Sequence, residues 1–406
     1  MNKCARAATH DIIKHVLQRG KPMKILFYDM GSYTYQDFLY YLKQDGHSCQ
    51  TVYYHFGDKF DDDFFVHRFS RYLTENTYDA VISVNFFPLV ALLCHKYHIK
   101  YLAWCYDSPL EDRLKEYFSY DTNYIFLFDR IEAAQYQSQG YTRVFHLPLA
   151  VNTKRLDSLH FTPAQAAAWQ ADVSFVGNLY NSPLDVLLYP ADEYVKGYIE
   201  GLLQAQLRIY GYYFLEDMIT DELMKRVNES FRQMGQTSVS LNRRGLSFAI
   251  ASQITHLERT FLIEQMGKLY NTCFYSTGSY DFSTPVKSCG PVKYHTEMPG
   301  VFRYSKLNLC PTLKSIQSGI PLRSLDILGA GGVLFSNFQP ELTEYFEDGK
   351  DLILYESIDD AFAKADFYLK HEELRREIAQ NGYRRVCQAF SYPDRIRQMF
   401  ETAQLV

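Results

Sequence analysis

Short apolar runs alternate with amphipathic segments along the first third of the chain. The first run, residues 24–29, ends at a polar residue and a glycine turn, and apolar side chains then follow at residues 35, 38, 39 and 42. This spacing of three and four residues is typical of a helix with one buried face. Four more apolar runs lie at residues 50–54, 80–85, 101–106 and 124–128. Strands that alternate with helices predict a parallel sheet covered on both faces.

The pattern restarts at residues 172–178, where another apolar run ends in a glycine turn. A helical region from about residue 189 to residue 266 follows, which is long for a connection between two strands. Four further strands are predicted at residues 269–275, 306–310, 332–336 and 352–355. We therefore predict an α/β fold with two Rossmann-like domains, whose parallel sheets face each other across a cleft. The second domain carries the helical insertion.

The predicted first domain consists of residues 20–150 and the predicted second domain of residues 170–385. Residues 386–406 form a C-terminal helix, for which packing back onto the first domain is expected. Ligands of open parallel sheets bind outside the carboxyl ends of the strands. The cleft between the two sheets is therefore the expected ligand site.

The composition fits a packed globular protein and argues against several kinds of partner. Of the 406 residues, 47% are hydrophobic and 22% are charged, and the net charge is -5 without a long basic run. Nucleic acid is not expected as a partner, because phosphate backbones are bound by dense cationic surfaces. The eight cysteines are scattered and form no CxxC pair. Reduced thiols are therefore expected rather than a zinc ribbon or a disulfide framework.

The sequence predicts neither export nor insertion into a membrane. Residues 1–20 contain Lys3, Arg6, Lys14 and Arg19 but no continuous apolar core, which argues against a cleavable signal peptide. The most apolar stretch, residues 80–94, is too short to cross a bilayer. We expect a cytoplasmic protein without a transmembrane segment, and peripheral contact with a membrane stays open.

The segment 305–332 contains the most informative chemistry. After a predicted strand and a loop, Gly319, Ile320, Pro321 and Leu322 open a helix, where a proline is favourable because its missing N–H has no partner. The free N–H groups of this turn and the helix dipole predict an anion site. Arg323 lies in the first turn and has the fork geometry that suits a diphosphate. Asp326, one turn further, is placed to accept both hydroxyls of a ribose. A surface ion pair between these two side chains is the alternative.

This segment resembles a known family. SGIPLRSLDILGAGG at 318–332, SKLNLCPTLKSI before it and QPELTEYFEDGKDLILYES after it are similar to the CgeB-like glycosyltransferases, named after a spore maturation protein. EMPGVF at 297–302, VSFVGN at 173–178 and NGYRRV at 381–386 fit the same family. The N-terminal part, with LAWCYDSP and YIFLFD, looks like the N-terminal domain that is often paired with it.

The resemblance implies the GT-B fold and a nucleotide diphosphate sugar as donor, held mainly by the C-terminal domain. A UDP-sugar is the first expectation, and no tightly bound cofactor is implied. In related retaining enzymes, two glutamates separated by seven residues contact the donor sugar and the ribose. Asp326 matches the second glutamate, whereas Ser318 stands where the first is expected. A metal is not required, because the helix terminus and Arg323 can neutralise the leaving group.

Further candidates for donor contacts lie at the ends of predicted strands. Gly31 and Ser32 occupy the place of a glycine loop in GT-B enzymes, and plain turn geometry is the alternative. Gly177 and Asn178 take the corresponding place in the second domain, as phosphate or sugar contacts.

Three residues are candidates for contacts to the nucleotide base or for catalysis. The resemblance places Tyr294 and His295 on the loop that holds the base, and His295 could hydrogen-bond the donor or be simply solvated. Asp107 ends a predicted strand and could act as a base, bind an acceptor hydroxyl or cap the next helix. No metal site is predicted: Cys94, His95 and His98 have no further ligand pair at zinc spacing.

The predicted function is transfer of a sugar from a nucleotide diphosphate sugar to an unidentified acceptor, which could be a protein, a glycan or a cell-surface precursor. The departure at Ser318 leaves a second class open, a GT-B scaffold protein that binds a nucleotide sugar or glycan without turnover. A nucleotide-sugar epimerase or hydrolase on the same fold is a third class. Slow hydrolysis of the donor would favour an enzyme, and tight donor binding without turnover would favour the scaffold.

Overall fold

A computed structural model describes residues 21–235 and 240–406, which contain two parallel six-stranded sheets. Lys3, Arg6, Lys14 and Arg19, the basic residues of the segment considered as a signal peptide, lie outside the described residues. The strands of the first sheet are β1 (Lys24–Asp29), β2 (Ser48–Tyr53), β3 (Ala80–Val84), β4 (Lys100–Cys105), β5 (Asn123–Leu127) and β6 (Val144–His146). The helices around it are α1 (Tyr35–Gln44), α2 (Asp63–Glu75), α3 (Pro88–Lys96), α4 (Lys115–Phe118) and α5 (Arg130–Ser138).

The first sheet has the strand order β2-β1-β3-β4-β5-β6 and is buried on both faces. Successive residues of a strand point to opposite faces. In β1, Ile25 and Phe27 accordingly enter one hydrophobic core, and Leu26 and Tyr28 enter a second core on the other side. The predicted parallel sheet covered on both faces is confirmed, and β6, with only three residues, was not predicted.

The second sheet contains β7 (Ala171–Val176), β8 (Thr272–Tyr275), β9 (Lys287–Ser288), β10 (Ser305–Leu309), β11 (Leu334–Asn337) and β12 (Ile353–Tyr355). Its order is β12-β11-β10-β7-β8-β9, the order of dinucleotide-binding Rossmann domains. Two short helices, α6 (Thr153–Asp157) and α7 (Pro163–Ala168), connect the sheets. The helices of this half outside the insertion are α13 (Met298–Tyr304), α14 (Leu322–Gly329), α15 (Pro340–Tyr345), α16 (Ile358–Lys370) and α17 (Glu372–Ala389).

The long connection between β7 and β8 is a helical insertion with a hydrophobic core of its own. Its helices are α8 (Leu184–Leu188), α9 (Glu193–Leu207), α10 (Leu215–Met218), α11 (Asp221–Gln233) and α12 (Arg243–Leu269). The insertion contacts the first domain, because Arg244 Nη1 donates to Leu110 O at 3.0 Å and Asn242 Nδ2 donates to Asp112 Oδ2 at 2.9 Å.

The last helix, α18 (Tyr392–Thr402), lies against the first domain. Tyr392 stacks on Tyr41 of α1, with ring centroids 5.6 Å apart and an interplanar angle of 12°. Lys100 Nζ, at the start of β4, donates to the carbonyls of Ala403 at 2.6 Å and Gln404 at 3.0 Å. Within residues 21–235 and 240–406, no helix combines the length and the apolar character that a bilayer crossing requires.

A buried polar cluster joins the two domains, and we call Asp129, Ser318 and Glu341 the interdomain carboxylate cluster. The Asp129 side chain follows β5 and accepts hydrogen bonds from Gln317 N at 2.6 Å and Ser318 N at 3.1 Å. Glu341 accepts from Ser318 Oγ at 2.7 Å and from His146 Nε2 at 2.9 Å. Ser318, which stands where the resemblance expects a glutamate, is therefore part of the domain contact.

Gly319 lies in the same contact and has no room for a side chain. A Cβ atom there would approach Phe128 Cδ2 to 2.7 Å and Asp129 Cα to 2.9 Å. The neighbouring Ile320 is 1% exposed and belongs to the core that spans both domains. Helix α14 begins only at Leu322, with Pro321 as its N-cap, so the prediction that the helix opens at Gly319 is wrong by three residues.

Replacement of Asp129 by alanine is expected to destabilise the protein. Two backbone N–H groups of the opposite domain would lose their acceptor in a buried contact, which should cost on the order of 3 kcal/mol. Chemical denaturation monitored by circular dichroism measures the change. Asp121→Ala is the control, because Asp121 makes an exposed pair with His95 and such pairs contribute at most about 1 kcal/mol. Equal effects of the two substitutions would contradict the assigned role of Asp129.

Candidate functional site

Two adjoining cavities lie at the carboxyl ends of β7 and β10, where the strand order of the second sheet reverses. The Tyr294 cavity has a volume of about 250 Å³ and the Arg259 cavity a volume of about 200 Å³. Both are lined by Val176, Gly177, Asn178 and Arg323. Parallel sheets of this order bind their ligands at this reversal. The two cavities are therefore the candidate site.

Two arginines line the Arg259 cavity from different elements. Arg259 of α12 donates to Asn178 O at 2.5 Å and, through Nε, to Pro311 O at 3.0 Å, which bridges the loops after β7 and β10. Arg323 is the second residue of α14 and contacts the Met298 sulfur. Neither guanidinium has all five donors occupied by these contacts. An anion in the cavity would therefore meet two partly free guanidinium forks.

Asp326 forms the inner wall of the Tyr294 cavity and is 4% exposed. It accepts a hydrogen bond from Tyr294 Oη at 2.9 Å, and Arg323 Nη1 lies 3.4 Å from its second oxygen. Burial raises the pKa of Asp326 to about 6, although the Arg323 charge and the Tyr294 bond oppose the shift. Arg323 and Asp326 are thus a pair with a buried carboxylate, not a surface ion pair.

Tyr294 connects the site to the first domain. Its ring stacks on Tyr33, which follows β1, with centroids 5.5 Å apart and an interplanar angle of 25°. The Arg155 guanidinium lies 5.7 Å from the centre of the Tyr294 ring. Arg155 is held by Asp37 of α1, with Nε–Oδ1 and Nη2–Oδ2 distances of 2.9 Å. The Tyr294 cavity therefore has walls from both domains.

Most of the predicted donor-binding residues line these cavities. They are Gly177, Asn178, Tyr294, Pro321, Leu322, Arg323 and Asp326. Gly319 and Ile320 do not line the cavities. The α-carbon of Gly319 packs against Phe128 and Asp129, and the side chain of Ile320 is buried in the core, so neither is available to a ligand. The backbone N–H groups of Gly31 and Ser32 both donate to Asp29 Oδ1 at 3.0 Å. These two hydrogen bonds are the turn geometry given above as the alternative for this loop, and they occupy the N–H groups that a ligand would need.

His295 and Asp107 lie outside the two cavities. The carbonyl of His295 accepts from Arg155 at 3.1 Å, and burial, followed by the Arg155 charge, lowers the pKa of its imidazole. Asp107 lies at the carboxyl end of β4, where Asn85 Nδ2 donates to its Oδ2 at 2.6 Å. Asn85 has a left-handed backbone with φ of 68° and also accepts from Tyr106 N at 2.8 Å. Desolvation raises the pKa of Asp107.

Arg259 and Tyr33 are candidate site residues that the sequence analysis missed. Arg259 is one of several basic residues in a 27-residue helix, and its bonding partners Asn178 and Pro311 are distant in the sequence. Tyr33 directly follows the predicted turn at Gly31 and Ser32, so an aromatic residue beside a glycine loop was the available signal. Among the described residues, no group of three potential ligands could hold a metal ion.

Comparison with known proteins relates one segment of the chain to a family model and the fold to solved structures. Residues 258–401, which contain Arg259, Tyr294, Arg323 and Asp326, match the family model described as glycosyl transferase-like. No curated protein sequence matches the chain.

Three solved structures share the fold over nearly the whole chain. A glycosyltransferase from Rickettsia africae is 10% identical, with a TM-score of 0.54 over 95% of this chain and 98% of its own. HepE from Anabaena, in complex with UDP and glucose, is 11% identical, with a TM-score of 0.50 over 95% of this chain and 100% of its own. Sucrose-phosphate synthase from Thermosynechococcus elongatus is 12% identical, with a TM-score of 0.51 over 94% of this chain and 98% of its own. The predicted GT-B fold is confirmed.

The raised pKa of Asp326 predicts how stability depends on pH. The folded-state pKa of about 6 exceeds the ordinary value of 3.8, so the folded state loses stability as the pH rises between these two values. Asp326→Asn removes this loss and should stabilise the protein above pH 6, by up to roughly 3 kcal/mol. The difference between the two unfolding midpoints, followed from pH 4 to pH 8, measures the effect. A difference that does not change with pH would contradict the assigned ionisation.

Proposed function

We propose that the protein is a glycosyltransferase that moves a sugar from a nucleotide diphosphate sugar, with a UDP-sugar as the first candidate, to an acceptor bound by the first domain. The observation that carries the proposal is the pair Arg259 and Arg323, which line one cavity at the strand-order reversal of a GT-B fold. The match of residues 258–401 to the glycosyl transferase-like family model supports sugar transfer rather than a scaffold that binds without turnover.

In the proposed complex, the diphosphate lies between Arg259 and Arg323, and the first turn of α14 adds its free N–H groups. Guanidinium groups bind phosphate oxygens in a bidentate manner and stabilise the charge that develops on the leaving group. Asp326 accepts the ribose hydroxyls in place of the Tyr294 hydroxyl. The stacked rings of Tyr33 and Tyr294 line the remaining cavity, and an aromatic face of this pair suits stacking on the base.

The two arginines supply positive charge where many transferases use a divalent ion. We therefore propose that turnover does not depend on a divalent metal. Activity that persists in excess EDTA supports this part of the proposal, and activity restored only by Mg²⁺ or Mn²⁺ would contradict it.

We propose Asp107 as the group that accepts the proton from the acceptor. The acceptor oxygen would bond to the anomeric carbon, the bond from that carbon to the diphosphate oxygen would break, and the hydroxyl proton would pass to Asp107. Its raised pKa suits this role, because a base with a pKa nearer the working pH transfers protons more efficiently. Asn85 would hold the carboxylate in position.

We propose three further features of the protein. The acceptor is a protein, a glycan or a cell-surface precursor. Membership of the CgeB-like subfamily rests on the motifs of residues 297–332 and their surroundings. A cytoplasmic location is supported by the free thiols of the described cysteines.

Substitution of either arginine should weaken donor binding. Arg259→Gln and Arg323→Gln each remove charge-assisted hydrogen bonds worth about 1.5–3 kcal/mol, or roughly 10- to 100-fold in Kd. A thermal-shift screen against UDP, GDP, ADP, TDP and CMP with their sugar conjugates identifies the donor first, and calorimetry then gives Kd for each variant. Arg384→Gln, on the exposed side of α17, is the matched control with unchanged affinity. No thermal shift with any nucleotide would refute the proposal.

Substitution of Asp107 should separate transfer from donor binding. Asp107→Asn keeps the side-chain shape but removes the base, so transfer to an acceptor should fall by about 10²- to 10⁴-fold while donor Kd is unchanged. Once the donor is known, transfer to a panel of saccharide acceptors and spontaneous donor hydrolysis are measured for both forms. Equal transfer rates in wild type and Asp107→Asn would remove Asp107 from the mechanism. Tight donor binding with neither reaction would favour the scaffold.

A further inference from the structure

A second recess lies at the opposite edge of the same sheet. It has a volume of about 250 Å³ and opens where β10 and β11 begin, along the first turns of α17. The donor cavities lie where β10 ends, and its five residues span about 16 Å at roughly 3.3 Å per residue. The recess therefore belongs to a different surface, which we call the amino-edge recess. Its lining residues used below are Arg303, Lys306, Gly331, Arg375, Arg376 and Ala379.

Arg375 and Arg303 line the recess and carry charges that no carboxylate compensates within hydrogen-bond range. Arg375 is 6% exposed and donates Nη1 only to the carbonyls of Tyr368 and Leu369. Arg303 bonds only to carbonyl oxygens and engages all three of its guanidinium nitrogens, with Nε donating to Ala330 O at 3.2 Å, Nη1 to Leu159 O at 3.5 Å and Nη2 to Leu156 O at 3.2 Å. Neither forms a salt bridge within residues 21–235 and 240–406. A buried cation without a counter-charge is costly unless an anion binds beside it.

The geometry of Arg375 leaves part of its guanidinium free for a ligand. Nη1 binds both carbonyls at the end of α16, whereas Nε and Nη2 have no partner among the described residues. Burial, the largest effect, lowers the pKa of this guanidinium. The carbonyl contacts fix the orientation of the side chain, so its remaining donors are already ordered before a ligand binds.

The rim of the recess is also more basic than acidic. Lys306 Nζ lies 2.7 Å from Asp172 Oδ1, and Arg376 pairs with Glu372. With Arg303 and Arg375, four basic side chains thus face two acidic ones. The helix termini add no clear net charge, because His371 is at once the C-cap of α16 and the N-cap of α17, so a negative and a positive dipole end meet there.

We propose that the amino-edge recess binds the phosphate group of a small anion, either a sugar phosphate or free phosphate. The Arg375 guanidinium, whose Nε and Nη2 stay free, suits phosphate oxygens better than it suits a halide, because its N–H groups pair with two oxygens at once, and Arg303 adds its charge. The volume of about 250 Å³ equals that of about eight waters at ~30 Å³ each. It therefore accommodates a sugar attached to the phosphate. Gly331, with φ of 77° and no atom within 4 Å of a Cβ position, leaves this space open.

Calorimetric titration with glucose 6-phosphate and with inorganic phosphate tests the proposal. The titrated protein is the full chain carrying Arg259→Gln and Arg323→Gln, which should weaken any phosphate binding at the proposed donor cavities. Both probes compete for one site, and the tighter one identifies the source of the phosphate. Binding should weaken with added salt, because the attraction between the charges is screened.

Two substitutions in this background should change the affinity in opposite directions. Ala379→Glu brings a carboxylate into the recess and should raise Kd at least about tenfold, whereas Glu372→Gln removes one and should lower Kd about threefold. Unfolding midpoints in phosphate-free buffer establish that each variant is folded. Lys306→Glu, at the exposed rim, replaces Ala379→Glu if that variant does not fold, and it should also raise Kd. No binding of either probe, or an unchanged Kd in the variant with the added carboxylate, would overturn the proposal.

Discussion

The interdomain carboxylate cluster sets how the two sheets face each other. Asp129 belongs to the first domain but accepts hydrogen bonds from residues 317 and 318 of the second, while Glu341 of the second domain accepts from His146 of the first. Both carboxylates are fully buried. A buried charge tolerates few arrangements of its partners, since each lost hydrogen bond leaves it uncompensated. The cluster therefore fixes a particular orientation, in which Tyr33 of one domain reaches Tyr294 of the other.

The candidate site contains an arrangement that is unfavourable for folding. Asp326 is ionised at neutral pH although burial raises its pKa to about 6. The Tyr294 hydroxyl and the Arg323 guanidinium stabilise the negative charge of Asp326. In the proposed complex, ribose hydroxyls would replace the Tyr294 hydroxyl, and Arg323 would also bind the diphosphate. Perturbed carboxylates of this kind concentrate at functional sites, because a stability-optimised position would hold a neutral side chain. The cost in stability and the proposed role in binding thus have the same physical origin.

Ten of the twelve strands could be predicted from the sequence because each contains a short apolar run, and β1 and β7 also end at a glycine turn. Strand β1 was predicted with its observed bounds, whereas β9, with two residues, gives no pattern of its own. Strand order is not encoded in local periodicity, so the reversal between β7 and β10 could not be predicted. Arg259 was missed for the same reason, because its partners meet it only through the fold.

Residues that share one motif proved to have different physical roles. In the run from Ser318 to Asp326, Ser318 and Gly319 serve the domain contact, Ile320 serves the core, and Arg323 and Asp326 face the cavities. Spacing alone cannot separate these roles, because a glycine needed for close packing and a glycine needed for phosphate approach are the same letter. The surroundings of the missing Cβ distinguish them, and at Gly319 they are Phe128 and Asp129.

Two short helices connect the opposite edges of the second sheet. Helix α13 begins at Met298, which contacts Arg323, and includes Arg303 near its end, while α14 carries Arg323 at its start and is followed by Ala330, whose carbonyl accepts from Arg303. Both helices are tightly packed, since a Cβ at Gly300 of α13 would approach the Trp169 ring to 2.2 Å and a Cβ at Gly329 of α14 would approach Val151 Cγ2 to 2.9 Å. Contacts between packed side chains and backbone therefore run continuously from one edge of the sheet to the other. If anion and donor each favour one position of these helices, linkage requires that each change the affinity of the other by the same factor.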